Sequence, residues 1–338
     1  MKPVTPLSTW IPHLAGQRVL VVGDVILDEY LIGKTTRLSR EAPIPVLEFE
    51  TRQLIPGGAA NPAANIAALG STAIQVGVIG PDSAGTNLRQ VLQARGIDTG
   101  CLVTDAGRPT TVKSRIMAQM GLRFPQQVAR LDTLSREPIH VGVERQVRAM
   151  LNQHIRQVNA VLLSDYHCGL LAPALVETIR ILAADAGVLL TADAQGELDK
   201  YAGFGVVKCN ADEARAYLRR DLETDDDFAA AALEIGAVLR LTGSMVITRG
   251  GDGATVALCA EKRAMHSPAP AVTDVYDTVG AGDTAIAVLT LAVAAGASYS
   301  EAAALANYAS GLVVRRVGNY TPRPDELAWA LATWGDSH

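Results

Sequence analysis

The sequence is poor in cysteine, in aromatic residues and in charge. Of its 338 residues, four are cysteine, 4% are aromatic and 19% are charged. A disordered chain requires low hydrophobicity and high charge, so a hydrophobic content of 49% excludes intrinsic disorder. A chain of this length can bury a large core, and its composition favours either one large domain with an appendage or two domains.

The cysteines and histidines form no metal-binding or disulfide pattern. No two cysteines have CxxC spacing, and the six histidines do not pair with them at the intervals typical of zinc ligands. The sequence therefore predicts isolated thiols in a reducing compartment at four positions, namely Cys101, Cys168, Cys209 and Cys259.

Long runs of like charge or of apolar residues are also missing. The net charge is −5 without any block of about five or six like charges, which argues against a nucleic-acid or membrane partner. Residues 1–16 lack the apolar core of a signal peptide. The uncharged and mostly apolar stretch 284–300 is shorter than the ~20 apolar residues of a membrane span, so we predict a buried helix there. Together these absences predict a cytoplasmic protein.

Short apolar runs rich in β-branched residues alternate with longer stretches of helical period. This alternation predicts an α/β fold with a mostly parallel sheet that is covered by helices on both faces. Ligands bind such sheets at the carboxyl ends of the strands, so polar residues at those ends are candidates for function. The predicted strands are 19–22, 73–79, 160–163, 188–191 and 244–248.

Two segments, 33–52 and 107–131, interrupt this alternation. Each contains extended pieces rich in Arg, Pro and Thr, without a helix between them. We expect them to form a small antiparallel sheet that acts as a lid over the crevice, although the pattern alone fits an ordinary surface excursion equally well.

Two familiar nucleotide-binding patterns are present only in imperfect form. Residues 28–35 read D-E-Y-L-I-G-K-T, which resembles a P-loop but begins with Asp instead of Gly. Residues 280–285 match G-x-G-x-x-A, but late in the chain and without an acidic residue closing a following strand. A nicotinamide-dependent dehydrogenase is therefore a distant alternative.

The stretch 277–283, D-T-V-G-A-G-D, precedes and opens the predicted buried helix. Gly280 and Gly282 allow the backbone N–H groups around Ala281 to converge on one point, and the helix N-terminus adds positive partial charge. These features predict an anion hole followed by a carboxylate, Asp283, in the first helical turn. A simple N-cap would explain Asp283 but not the two glycines and the second acid, Asp277.

Two earlier clusters are less specific. In P-G-G-A-A-N at 56–61, Gly57 and Gly58 permit close approach of a ligand or a helix, and Asn61 followed by proline suits a helix N-cap. In G-D-V-I-L-D at 23–28, Asp24 and Asp28 follow the first strand and could bind sugar hydroxyls or form a turn.

These motifs, together with N-x-x-E at 210–213, resemble those of the ribokinase-like (PfkB) carbohydrate kinases over about residues 18–330. The resemblance implies one kinase domain, 1–338, with a three-layer α/β/α core and a mostly parallel central sheet, and a β-sheet lid formed by about 33–52 and 107–131. It implies an ATP-dependent sugar kinase in which Asp283 is the catalytic base. The backbone of 280–282 would stabilise the transferring phosphoryl group.

The same resemblance implies roles for residues that match other functional positions of the family. Asn210 and Glu213 would organise Mg²⁺ through water. Asp277 and Val279 match positions that bind a monovalent cation such as K⁺ in many members. The nucleotide would be bound by Asn210 together with four other residues, namely Thr248, Gly250, Gly253 and Asn307.

Within this family the segments 35–46, 113–115 and 130–132 are most similar to the heptose 7-phosphate kinases of ADP-heptose synthesis. A phosphorylated acceptor would explain the cations of the two lid segments. These kinases usually carry one lysine after the Asp-Tyr pair at 165–166 and another at position 195, which here is Gln195. The lid cations are Arg37, Arg40, Lys113, Arg115, Arg123 and Arg130.

Substrate-binding positions in this interpretation comprise four of those cations, namely Arg37, Lys113, Arg115 and Arg130, and the residues Asp24, Asp28, Gly57, Gly58 and Asn61. The small-molecule partner is thus a sugar or sugar phosphate, and open strand edges on the lid favour a homodimer. Two alternatives remain: a kinase of an unphosphorylated sugar or nucleoside, and a non-catalytic sensor on the same scaffold.

Overall fold

The computed structural model describes residues 6–119 and 125–335. Its strands are β1 (Arg18–Gly23), β2 (Val25–Leu38), β3 (Pro45–Gly58), β4 (Thr72–Ile79), β5 (Leu102–Thr104), β6 (Val112–Gln119), β7 (Gln126–Thr133), β8 (Ala160–Ser164), β9 (Leu189–Asp193), β10 (Val206–Asn210), β11 (Ser244–Thr248), β12 (Ala254–Leu258) and β13 (Arg263–Ser267). Its α-helices are α1 (Ala60–Ala68), α2 (Ser83–Gln93), α3 (Val141–His154), α4 (Pro173–Ala186), α5 (Ala211–Leu218), α6 (Asp225–Val238), α7 (Ala281–Ala294), α8 (Tyr299–Val313) and α9 (Pro324–Trp334).

Nine strands form the central sheet in the order β13-β12-β11-β10-β9-β8-β1-β4-β5. All pairs from β10–β11 to β4–β5 are parallel, and only the edge strands β12 and β13 pair antiparallel. One core cluster packs α1, α2, α7, α8 and α9 on one face, and a second packs α3, α4, α5 and α6 on the other. The predicted three-layer α/β/α fold is confirmed.

Helix α7 is the predicted buried helix, and it is apolar on every side. Ten consecutive residues, from Asp283 to Ala292, are buried in it. A helix that is hydrophobic all round must be covered all round, and α7 packs against α1, α8 and strand β9. Its N-terminus is thereby held above the carboxyl ends of the parallel strands.

These carboxyl ends lie at one edge of the sheet in register. Gly23 at the end of β1 pairs with Ser164 on β8, and Ser164 pairs with Asp193 on β9. Asp193 in turn pairs with Lys208 on β10. The register therefore places polar residues from three adjacent strands, β8, β9 and β10, side by side under α7.

A second, four-stranded sheet has the order β3-β2-β6-β7. Its outer pairs, β2–β3 and β6–β7, are antiparallel, whereas the central pair β2–β6 is parallel. Strand β2 begins only one residue after β1, so the sheet grows directly from the edge where the strand ends meet. The predicted segments 33–52 and 107–131 contain its distal parts, and residues 120–124 of the second segment lie outside the described residues.

In the ranges that the structure describes, none of the helices combines the length and the apolar character that crossing a membrane requires.

Candidate active site

The chain reaches α7 through a glycine that no other residue could replace without strain. Gly280 has φ +83°, in the left-handed region, and immediately precedes the helix. A Cβ on Gly280 would lie 2.8 Å from Oδ1 of Asn319 and 2.9 Å from Nδ2 of Asn61. The first turn therefore begins in close contact with two amide side chains, and its N–H groups carry the positive end of the helix dipole.

Asp283 lies in this first turn and is held from both sides. Its side chain is buried, with the residue 7% exposed. Oδ2 accepts a hydrogen bond from Nδ2 of Asn61 at 2.8 Å, and Oδ1 accepts one from the Tyr166 hydroxyl at 2.8 Å. Both contacts join chain segments that are more than 100 residues apart, so the fold fixes the orientation of the carboxylate.

The prediction that Asn61 caps a helix is wrong. Helix α1 begins at Ala60, with Ala59 at the N-cap position, and Asn61 lies inside the first turn. The Asn61 side-chain amide donates to Asp283 instead. Asn65, one turn later in α1, donates to the side-chain oxygen Oδ1 of Asn61 at 3.2 Å. Thr284 donates to Asn65 at 2.9 Å, so the two helices are joined by a chain of buried polar groups.

Burial raises the pKa of Asp283 from 3.8 to about 6, and repulsion from the Asp193 carboxylate adds to the rise. The hydrogen bonds from Asn61 and Tyr166 and the ammonium group of Lys208 act in the opposite direction. A carboxyl group with this pKa is ionised at neutral pH and is basic enough to accept a proton efficiently.

Tyr166 connects Asp283 to the small sheet. The ammonium group of Lys113, on β6, lies 4.8 Å from the centre of the Tyr166 ring. Asp24 anchors the same loop, because its carboxylate accepts backbone N–H bonds from Tyr166 at 2.9 Å and Cys168 at 3.0 Å. Asp24 itself is only 5% exposed, so it holds the loop that presents the tyrosine.

Asp28 is buried against the beginning of the small sheet. Its Oδ1 forms an ion pair with Arg115 at 2.5 Å, and its Oδ2 accepts from Asn319 at 2.6 Å. A Cβ on Gly57 would lie 2.1 Å from that Oδ2, which explains the glycine there. Gly58 has φ +55° and turns the chain into α1. The Arg115 charge is thus compensated within the protein.

One face of the small sheet carries several of the predicted lid cations. Lys113 and Arg115 are two residues apart on β6 and so point to the same side. Arg130 pairs directly opposite Arg115 and forms two 2.9 Å bonds to Asp132. Arg37 is exposed and lies about 30 Å beyond Asp28 along β2, at ~3.3 Å per residue. Arg123 falls outside the described residues.

The N-x-x-E motif is a capping box at the start of α5. Oδ1 of Asn210 accepts from the backbone of Glu213 at 2.9 Å, and Oε2 of Glu213 accepts from the backbone of Asn210 at 2.6 Å. Burial raises the pKa of Glu213, and nearby Asp193 contributes. Additional positive charge beside Glu213 would therefore stabilise its ionised form.

The predicted nucleotide-side residues lie around β10 to β13 and α8. Thr248 donates to the Cys209 carbonyl at 3.3 Å. Gly250, with φ +60°, has open space where a side chain would be, whereas a Cβ on Gly253 would lie 2.2 Å from the backbone oxygen of Ser267. Asn307 on α8 donates to that same oxygen at 2.8 Å, which ties α8 to the end of β13.

Asp277 fixes the loop that leads into α7. Its Oδ1 accepts from the Val279 backbone at 3.0 Å, and its Oδ2 accepts from the Gly318 backbone at 2.9 Å. Within residues 6–119 and 125–335, no group of three or more His, Cys, Asp or Glu side chains is arranged to hold a metal ion.

The sequence motifs assign no role to four residues of this site, namely Tyr166, Asp193, Lys208 and Asn319. Three of them occupy or follow the carboxyl ends of β8, β9 and β10, so the rule for ligand sites in parallel sheets could have found them. Asn319 follows α8 without any sequence pattern that would single it out.

Asp283 generates a prediction about stability that does not depend on activity. The pKa of Asp283 is about 6 in the folded protein, against 3.8 for an ordinary aspartate such as that of the unfolded chain. The folded state therefore binds the proton more tightly than the unfolded state. As the pH rises from 3.8 to 6, the contribution of Asp283 to the free energy of unfolding falls. The free energy of unfolding of Asp283→Asn, relative to the native chain, should therefore increase by up to about 3 kcal/mol between pH 4 and pH 8. Urea denaturation at both pH values measures it, and a difference that stays constant would contradict the raised pKa.

Comparison with known proteins agrees with this geometry. Residues 17–326 match the model of the pfkB family carbohydrate kinases. The bifunctional protein HldE of Hyphomonas neptunium is 36% identical over 330 residues, covering 97% of this chain and 66% of the relative. That of Caulobacter vibrioides is 40% identical over 318 residues, covering 93% and 63%. The chain thus spans slightly less than two thirds of these relatives' length.

Solved structures show the same fold at low identity. Phosphofructokinase-2 from Escherichia coli in complex with potassium has a TM-score of 0.74 at 20% identity, covering 94% of this chain and 99% of that one. Ribokinase from Arabidopsis thaliana with ribose and ATP has a TM-score of 0.71 at 20% identity, with the same coverage. With the family model matching most of the chain, the protein belongs to the pfkB family of carbohydrate kinases.

Proposed function

We propose that the protein transfers the γ-phosphoryl group of ATP to a hydroxyl group of a phosphosugar, with heptose 7-phosphate as the acceptor. The observation that carries this proposal is the buried Asp283 carboxylate at the N-terminus of α7, held by Asn61 and Tyr166. The HldE relatives and the similarity of the lid segments to heptose 7-phosphate kinases support the choice of acceptor.

Asp283 removes the proton from the acceptor hydroxyl as that oxygen bonds to the γ-phosphorus. The bond from this phosphorus to the bridging oxygen breaks at the same stage, and ADP leaves with the electron pair. Negative charge on the phosphoryl oxygens is stabilised by the backbone at Gly280, Ala281 and Gly282, where the helix dipole is positive. Positioning and electrostatics of this kind supply most of the catalysis in phosphoryl transfer.

The acceptor phosphate is bound by the cationic face of the small sheet. Lys113 is the central residue, because its ammonium group lies over Tyr166, which itself binds Asp283. Arg115 and Arg130 lie on the same face, each beside a carboxylate. Arg37 and Arg40, farther along the strand and the turn that follows it, extend the positive charge of the lid.

Mg²⁺ accompanies the nucleotide and would be held by Glu213 and Asn210 through water and phosphate oxygens. The half-buried Glu213, whose pKa is raised, suits an added cation, and its capping bond uses only Oε2. A bound Mg²⁺ supplies neutralising charge at the phosphates. A K⁺ ion near Asp277 and Val279 would stabilise the loop that enters α7.

The nucleotide occupies the side of the sheet formed by β10 to β13 and α8. The open space at Gly250 leaves the backbone accessible, and Asn210 and Thr248 lie at the ends of adjacent strands. Gly253 and Asn307 hold the neighbouring strand and helix in place through Ser267.

We also propose that two copies of the chain associate through their small sheets. Large apolar side chains are exposed there: Leu38 and Phe49 are each 69% exposed and Leu131 is 66% exposed. Covering them would remove apolar surface from water, and pairing would protect the strand edges.

The reaction can be tested by measuring ADP release from Mg·ATP with a panel of sugars and sugar phosphates. We expect turnover with heptose 7-phosphate and little with the dephosphorylated heptose. Asp283→Asn should lower kcat by about 10²–10⁴-fold, the range for loss of a general base, with nucleotide affinity almost unchanged. Turnover confined to a plain sugar or nucleoside would replace the proposed acceptor, and an unchanged kcat in Asp283→Asn would reject the assigned base.

Lys113→Met serves as the variant that tests phosphate recognition in the same assay. It should raise KM for heptose 7-phosphate strongly while leaving the slow reaction of the dephosphorylated sugar unaffected. Equal losses with both acceptors would show that Lys113 only supports the sheet through Tyr166.

Sedimentation velocity tests the proposed dimer. The native chain should sediment as a dimer, and Phe49→Asp, which places a charge on the exposed apolar surface, should shift it to monomer. Val141→Asp is the matched control, since Val141 is 63% exposed on α3, outside the small sheet. A monomeric native chain, or a dimer that persists in Phe49→Asp, would contradict this interface.

A further inference from the structure

A buried lysine lies at the carboxyl end of β10, beneath the first turn of α7. Lys208 is 4% exposed, and the parallel register pairs it with Asp193 on β9. Its ammonium group is 2.7 Å from Oδ1 of Asp193. A buried charge is expensive unless it is paired, and this ion pair satisfies that requirement.

The ammonium group also contacts α7 itself. Nζ of Lys208 donates to the Gly282 carbonyl oxygen at 3.3 Å, and a Cβ on Gly282 would lie 3.0 Å from the same Nζ. The second glycine of the loop therefore provides room for the lysine. A cation beside a helix N-terminus is electrostatically unfavourable, since the dipole there is already positive. An anion bound at the N-terminus of α7 would offset the repulsion between the lysine and the helix dipole.

The surrounding carboxylates define that site further. The carboxylates of Asp193, Asp283 and Glu213 surround the Lys208 ammonium group with negative charge. Asp283 is the proposed base and Glu213 the proposed magnesium-side acid. Lys208 thus lies within electrostatic reach of both, between the acceptor side and the nucleotide side.

The sequence provides a second observation that favours a functional role for this lysine. Position 195, where similar kinases carry a lysine, is Gln195. Gln195 follows Asp193 by two residues, whereas Lys208 reaches the same Asp193 from the neighbouring strand. A positive charge absent from one loop is therefore present on the adjacent strand.

We propose that Lys208 is a catalytic residue that donates a hydrogen bond to the γ-phosphoryl group during transfer. An ammonium group has three N–H donors, and the contacts to Asp193 and Gly282 account for two of them. The third is available to a phosphate oxygen positioned at the N-terminus of α7. This inference rests on the proposed kinase function and assigns a further residue to the same site.

Calorimetric titration with Mg·ADP and with the imido analogue Mg·AMP-PNP tests the assignment without any acceptor. Lys208→Met should weaken AMP-PNP binding by about tenfold or more, the loss typical of a hydrogen bond to a charged group, and leave ADP binding within about twofold. With the acceptor present, kcat should fall by about 10²-fold. Since removing one partner of a buried pair can unfold a protein, Lys208→Met/Asp193→Asn provides a second variant without the unpaired carboxylate.

Lys200→Met/Asp165→Asn is the matched control, because Lys200 is another buried lysine paired with an aspartate. It should leave the ratio of AMP-PNP to ADP affinity unchanged. Equal losses for both nucleotides in the Lys208 variants, or no loss, would overturn the assignment while leaving the kinase proposal intact. If the native chain binds neither nucleotide, the kinase proposal fails and this assignment fails with it.

Discussion

The arrangement of the site depends on one buried carboxylate being held between two helices and a strand end. Asp283 on α7 binds Asn61 on α1 and Tyr166 after β8, each at 2.8 Å. Because both partners come from distant parts of the chain, the helix layer of α1 and α7 must be packed on the central sheet before the carboxylate has its orientation. Burial then raises the pKa of Asp283 to about 6, so the packing that positions the group also adjusts its basicity.

Around this carboxylate the protein balances charge over short distances. Asp28 is paired with Arg115, Asp193 with Lys208, and each of these four side chains is buried. The first pair belongs to the small sheet and the second to the central sheet. Lys208 of the second pair is the residue that we propose to bind the phosphoryl group. Lys113, two residues before Arg115 on β6, is the residue that we propose to bind the acceptor phosphate.

The alternation of strands and helices, and the glycines before Asp283, could be predicted from the sequence because each depends on residues close together in the chain. The predicted strand 244–248 coincides with β11 (Ser244–Thr248). The role of Asn61 could not be predicted in this way. Asparagine followed by proline resembles a helix start, but Gly58 at φ +55° turns the chain earlier and α1 begins at Ala60.

Other features depend on contacts that no local pattern encodes. Arg115 suits a phosphate ligand by sequence, yet it pairs with Asp28, 87 residues away. Tyr166 is a single aromatic residue after a strand, and only the packing of α7 over β8 brings it to Asp283. The proposed role of Lys208 emerges only from the register of β9 and β10.

The most direct test of this account is a crystal structure of the protein with Mg·AMP-PNP and heptose 7-phosphate. We predict that one acceptor hydroxyl oxygen lies about 2.6–3.2 Å from the Asp283 carboxylate, the reach of a general base, with the γ-phosphorus facing the N-terminus of α7. An acceptor whose hydroxyl groups all lie beyond that distance, with both ligands bound and Asp283 still bonded to Asn61 and Tyr166, would contradict it.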